Sequence, residues 1–295
     1  MPTTDPRKAA PGSRGAAQRR RRTVITYIAA GAILASGAVV ALFQLGGPTV
    51  LPGTCEVRAQ GGATIPLTTE QAHIASVIGA VSLERRLPAR AAVIATATAM
   101  QESKLRNLDH GDRDSLGVFQ QRPSQGWGTP AQLQDPVYAT REFYDHLVKV
   151  KGYLDRPLTE VAQDVQKSGF PDAYAKHEED AQVIAGAFTG DAPFTATCRL
   201  DPPSGTTSAG QIAAEINDLF GTRARGADGA VTVNTSSTRG AAAIASWGVA
   251  NAARHGIISV SSNGHTWTRA SDASTLRWVQ DPAAPGARST TLRTG

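Results

Sequence analysis

The chain has 295 residues, enough for one or two domains, and a formal net charge of only +5 with 19% charged residues. A charge that modest, with four arginines gathered in one run (Arg19, Arg20, Arg21, Arg22), is no electrostatic footprint for nucleic acid and points instead to orientation at a membrane. Six scattered histidines and two cysteines offer no ligand pair at metal spacing, so neither a metal nor a cofactor is expected.

Residues 1–22, rich in Pro, Gly, Ala and basic side chains, read as a disordered cytoplasmic tail. Residues 23–45 carry no charge, and as a helix they are long enough to cross a hydrocarbon core of about 30 Å. The arginines before them place the N-terminus in the cytoplasm and everything after residue 45 outside it. A cleaved signal peptide is the competing reading, although the apolar run exceeds a usual signal core. Residues 46–66 hold five Gly and three Pro and read as a spacer. Cys55 and Cys198 lie on the outer side, at either end of the central segment. A bridge would tie those ends together; two free thiols are the alternative.

Thr68 and Gln71 stand at capping-box spacing, and Ile74, Val77, Ile78 and Val81 follow at helical intervals, which predicts an amphipathic helix ending near Arg86. Pro88 suits the first turn of the next helix. Residues 91–100 are apolar almost all round, as in the central helix of a bundle. That helix delivers Glu102 to its C-terminal end, where the macrodipole disfavours a negative charge and burial favours the protonated carboxyl. A group of that kind is a general acid near neutral pH. A polar loop over residues 107–115 returns through Gly117-Val118-Phe119-Gln120-Gln121, where a glycine beside an aromatic and two amides suggests backbone passing close to a bound molecule. Its cluster from Asp109 to Asp114 lacks the order of a calcium-binding loop. Further helices are expected from Pro136, over 159–166 and over 171–188.

Glu102-Ser103-x-Leu105 followed by Gly117-Val118-Phe119-Gln120, with the glycine fifteen and the glutamine eighteen residues after the glutamate, resembles the Glu-Ser…Gly-Leu-Met-Gln signature of soluble-type lytic transglycosylases and goose-type lysozymes. The continuation from Arg122 to Thr129 is similar to a variant in membrane-anchored actinobacterial proteins, and the resemblance covers roughly residues 68–198. It implies a lysozyme-like helical domain that cuts the bond between N-acetylmuramic acid and N-acetylglucosamine with Glu102 as the single acid/base. It also implies that Ser103 braces the acid, and that Gln120 contacts sugar or orients Glu102. Gln121 and Trp127 are further candidate substrate contacts. Asp112 and Asp114 are candidates for a second carboxylate. The family places a tyrosine beside its acid where this chain has Phe188, and Tyr174 is the candidate replacement.

After Cys198, residues 200–238 read as a linker with a short helix at 208–220. Residues 239–295 read as a helix to His255, a hairpin about Asn263-Gly264, and strands at 276–280 and 290–293. The pattern Trp247-x-Val249-Ala250-Asn251-Ala252 with Gly264-x-x-Trp267 resembles an accessory module of secreted cell-wall hydrolases. The metal-binding His-x-His strand of some versions is absent, so binding or structure is its expected role. The expected fold class is mainly α: a lysozyme-like domain (67–199) behind an N-terminal transmembrane helix, plus a small α+β C-terminal module. The expected partners are peptidoglycan glycan strands and, through residues 23–45, the cytoplasmic membrane. The competing functions are a glycan-binding adaptor without catalysis and a helical ectodomain that binds a protein.

Overall fold

The computed structural model describes residues 53–167, 171–272 and 276–295. The described chain begins as strand β1 (Thr54–Arg58), returns as β2 (Thr64–Thr68), and is joined much later by β3 (Ala196–Arg199) in an antiparallel sheet ordered β2-β1-β3. Alternation sets the inward face of β1: Cys55 and Val57 are buried while their neighbours are not. Cys55 stands directly opposite Cys198 in the β1–β3 register, and the two are joined by a disulfide.

Helix α1 (Thr69–Glu84) starts at the expected capping box, with the Gln71 N–H donating to Thr68 Oγ1 at 3.1 Å and the Thr68 N–H to Gln71 Oε1 at 2.8 Å. Helix α2 (Ala89–Ser103) follows Pro88 and is buried along most of its length. The short α3 (Pro130–Leu133) leads into α4 (Pro136–Leu147), capped by Asp135, whose carboxylate accepts from the Val137 N–H. Helix α5 (Leu158–Gln166), a 3-10 segment (Pro171–His177) and α6 (Glu178–Thr189) complete this half, with α2 packed chiefly on α6 and α1 packed on α2, α4 and α6. The helix expected over 171–188 is therefore two elements, and Tyr174 sits on the 3-10 part.

The remainder is a helix layer on a second sheet. Helix α7 (Ala209–Phe220) is capped by Ser208 and Gln211, and after it come β4 (Ala224–Ala227), β5 (Ala230–Asn234), α8 (Thr238–Ala250) and the single turn α9 (Ala252–His255). Then β6 (Ile257–Ser262), β7 (His265–Thr268), β8 (Val279–Gln280) and β9 (Ser289–Thr294) finish an antiparallel sheet ordered β4-β5-β9-β6-β7-β8. Asn263 and Gly264 both have positive φ, 44° and 71°, as the hairpin turn between β6 and β7 requires. Helix α8 lies close on the sheet at Gly248, where an added Cβ would stand 2.6 Å from Leu292 Cδ2. One hydrophobic cluster runs through both halves, from Val57 and Ile78 to Trp247 and Trp267. Where α1 meets α8, the buried Asn251 accepts from His73 Nδ1 at 2.7 Å and donates to Ser76 Oγ at 3.1 Å. Burial, then the nearby Arg254, lowers the His73 pKa to about 4, so this imidazole joins the interface neutral.

The mainly-α expectation is corrected by these two sheets: the described chain is a mixed α and β protein whose strands carry both halves. The spacer expected to run to residue 66 contains β1 and most of β2, and the stretch expected to be flexible before residue 238 contains β4 and β5. Short strands with solvent-facing Thr, Arg and Gly have the composition of linkers, and only their alternate buried positions, such as Val231 and Val233, reveal them. Among the described residues no helix is long and apolar enough to cross a membrane, and the transmembrane helix expected at 23–45 lies outside the described residues.

The disulfide closes a sequence separation of 143 residues. Replacing both cysteines by serine is expected to lower stability by about 4–5 kcal/mol in urea unfolding, since a loop of that order constrains the unfolded chain strongly. A loss under about 1 kcal/mol would contradict this.

Candidate functional site

Helix α2 is built from small and β-branched residues, and Ala91, Ala92, Ala95, Ala97 and Ala99 let its neighbours approach closely. It ends abruptly. Lys104 and Leu105 both take the left-handed conformation, with φ of 57° and 55°. The Leu105 N–H returns to Ala99 O at 3.0 Å, a Schellman-type closure made without glycine. Two consecutive left-handed residues with side chains cost stability. Burial of Leu105 and the Ser103 hydroxyl offset it: Ser103 Oγ donates to Ala99 O at 3.1 Å and accepts from the Arg106 N–H at 3.1 Å. Ser103 thus braces the backbone that carries the acid.

Glu102 projects from this end, part-buried. The Tyr174 hydroxyl donates to its Oε1 at 2.6 Å, and the nearby Gln166 amide also favours the charged form. Burial pushes the carboxyl pKa above the usual carboxylate value, and the two donors only partly counter it. Among the described residues no cation forms an ion pair with Glu102. Tyr174 is itself fully buried, so its ring and hydroxyl approach the acid from inside. Next to Glu102 on the helix, Gln101 Oε1 meets His177 Nε2 at 3.1 Å, which ties the 3-10 segment to α2 a second time.

Gln166 is the residue that sequence reasoning missed. It ends α5, its Nε2 donates to Phe119 O at 2.7 Å, and its Oε1 is buried with no hydrogen-bond partner among the described residues. The returning loop makes this contact possible: Val118 and Phe119 are buried, and the Phe119 ring stacks on Phe143 with centroids 4.5 Å apart. Gly117 takes φ of 75°, and an added Cβ would stand 2.2 Å from Leu133 O. The close backbone approach expected at this glycine is therefore to the protein's own chain.

The other candidates separate. Gln120 bonds within its loop, with Nε2 3.3 Å from both His110 O and Gly117 O. Gln121 is buried and donates to Ala139 O at 3.2 Å, fastening the loop to α4. Asp114 is clamped: Arg122 Nε at 2.8 Å and then the Ser124 N–H at 2.8 Å hold its carboxyl well below the usual range. Asp112 is exposed, 3.9 Å from Arg113. Trp127 is half-buried and packs against His146 with its ring tilted by 33° and centroids 4.0 Å apart. Trp127, His146 and Gln166 share the wall of a pocket of about 540 Å³. A second hollow of about 420 Å³, lined by Arg86, Phe220 and Arg239, contains no carboxylate and offers no acid. Among the described residues no group of three or more His, Cys, Asp and Glu is arranged to hold a metal ion.

No protein-family model matches the chain, and no curated protein matches it.

The raised Glu102 pKa fixes a sign. Its folded value lies above the unfolded one, so the folded state binds more protons, and stability falls as pH rises through that interval. Glu102→Gln removes the loss. The variant is expected to be more stable than the parent at pH 8, with the advantage shrinking toward pH 4, as read by denaturant midpoints. An advantage that grows on acidification would contradict the assignment.

Proposed function

We propose that this protein is a glycosidase that cleaves peptidoglycan at the bond between N-acetylmuramic acid and N-acetylglucosamine, with Glu102 as its single acid/base. The observation that carries the reading is the carboxyl itself: raised in pKa by burial, free of any cationic partner among the described residues, and held at Oε1 by the Tyr174 hydroxyl. With Tyr174 donating to Oε1, the acidic proton belongs on the other oxygen, from which it passes to the glycosidic oxygen as the bond breaks. The resulting carboxylate then takes a proton from a hydroxyl of the same sugar, closing an anhydro ring as a lytic transglycosylase does, or from water as a muramidase does.

A paired-carboxylate mechanism has less support. The Asp114 carboxylate is committed to Arg122 and the Ser124 N–H, and Asp112 is exposed on the loop. A substrate that supplies its own nucleophile needs one well-tuned acid, which departs from the two-carboxylate pattern of most glycosidases. A purely glycan-binding adaptor is the second reading, since Phe188 stands where the resembled family has a tyrosine; the Tyr174 hydroxyl at 2.6 Å from the acid weighs against it.

Peptidoglycan lies outside the cytoplasmic membrane, and the charge pattern of residues 19–45 together with the disulfide supports that location. The reading makes the full-length protein release soluble muropeptides from purified peptidoglycan, and makes Glu102→Gln slower by a factor of at least about 100, the lower range for loss of a general acid. Equal release by the two proteins, or none by either, would end the enzymatic reading.

A further inference from the structure

The pocket that shares Gln166 with the acid has a charge imbalance that bond cleavage alone does not require. Its wall is formed by Trp127, by His146 at the C-terminal end of α4 with Lys149 just beyond it, and by Asp164, Gln166 and Lys167 at the end of α5. Asp164 already has a partner: Arg156 Nη1 stands 2.7 Å from its Oδ2, and the same guanidinium is shared with Glu160 at 3.4 Å. Lys149 and Lys167 are exposed, and among the described residues neither forms an ion pair. Part of their placement is explained by the negative ends of the two helices, which favour cations in the last turn. The dipoles do not explain why both lysines border the same hollow, beside an aromatic ring and the Gln166 amide. Lys167 further takes the left-handed conformation at the end of α5, with φ of 52°, a position where glycine or asparagine is the common choice.

We propose that this pocket seats a carboxylate-bearing substituent of the sugar next to the bond that Glu102 attacks, with Lys149 and Lys167 pairing the carboxylate and Trp127 covering the apolar part of the substituent. The inference rests on the glycosidase reading and narrows its substrate: glycan strands carrying acidic peptide stems over bare or fully amidated ones. Gln166 gives the position its meaning, because it lines the pocket and lies near enough to the acid to favour its charged form. A point charge on a flexible stem, rather than a planar guanidinium, suits a carboxylate whose orientation varies with the stem.

The test is calorimetric titration of the full-length protein with N-acetylmuramoyl dipeptide, once with free carboxylates and once with those groups amidated. The acid form is expected to bind about tenfold tighter than the amide, the range of a pair of part-exposed charge contacts. In the double variant Lys149→Gln, Lys167→Gln the preference should fall within about twofold while affinity for the amide form stays unchanged. The double arginine variant should keep the preference. Equal binding of the two probes by the parent protein, binding of neither, or a preference that survives the glutamine substitutions would overturn the proposal. Release of muropeptides by parent and Glu102→Gln proteins is measured separately. A protein that discriminates the probes but cuts nothing would uphold the pocket and sink the glycosidase reading.

Discussion

A carboxyl group at the C-terminal end of a buried helix is opposed twice, by the loss of water around its charge and by the negative end of the helix macrodipole. The neighbourhood of Glu102 answers that opposition without cancelling it. Burial raises its pKa, the Tyr174 hydroxyl bonded to Oε1 and the nearby Gln166 amide lower it by less, and no cation is supplied among the described residues. An arginine in place of either donor would stabilise the charged form and leave a structural ion pair like that of Asp114 with Arg122. The resulting balance makes this carboxyl easier to protonate than an ordinary glutamate.

Much of the surrounding architecture can be derived from the need to hold those two donors. Tyr174 rides on a 3-10 segment that is tied to α2 through His177 and Gln101, and α6 behind it is fixed by Arg90, whose Nη1 donates to Glu178 Oε1 at 2.6 Å. Gln166 is set by α5 and by the carbonyl of Phe119, which the stacking of Phe119 on Phe143 holds in place. The loop that carries Phe119 is closed by Gly117, Gln120 and Gln121 through bonds to backbone carbonyls. The disulfide and the three-stranded sheet clasp the beginning and end of this helical half, while α8 and its sheet back α1 across the His73–Asn251–Ser76 contacts.

What the sequence made legible was local chemistry. The capping box at Thr68 and Gln71, the cap at Asp135, the Asn263-Gly264 turn and the acid at the end of an apolar helix each depend on residues a few positions apart, and all are present. Illegible were features set by distant partners. Asp114 read as a candidate second carboxylate because its clamp comes from Arg122, across a loop. Gln121 looked like a sugar contact because an amide beside a glycine reads the same whether it faces a ligand or a buried carbonyl. Gln166 gave no signal at all, since a glutamine in the last turn of a helix is ordinary until the fold brings Phe119 and Glu102 to it. Strands β1, β4 and β5 were hidden by the glycines and polar residues around their buried positions, which is why a mixed fold read as a mainly helical one.

The account stands on the protonation of one side chain, and carboxyl-detected NMR titration of Glu102 in the full-length protein reads it directly. The account predicts a midpoint above the ordinary glutamate value of 4.5, moving higher still in Tyr174→Phe because that donor favours the charged form. A midpoint at or below 4.5, or one that Tyr174→Phe leaves in place, would contradict it.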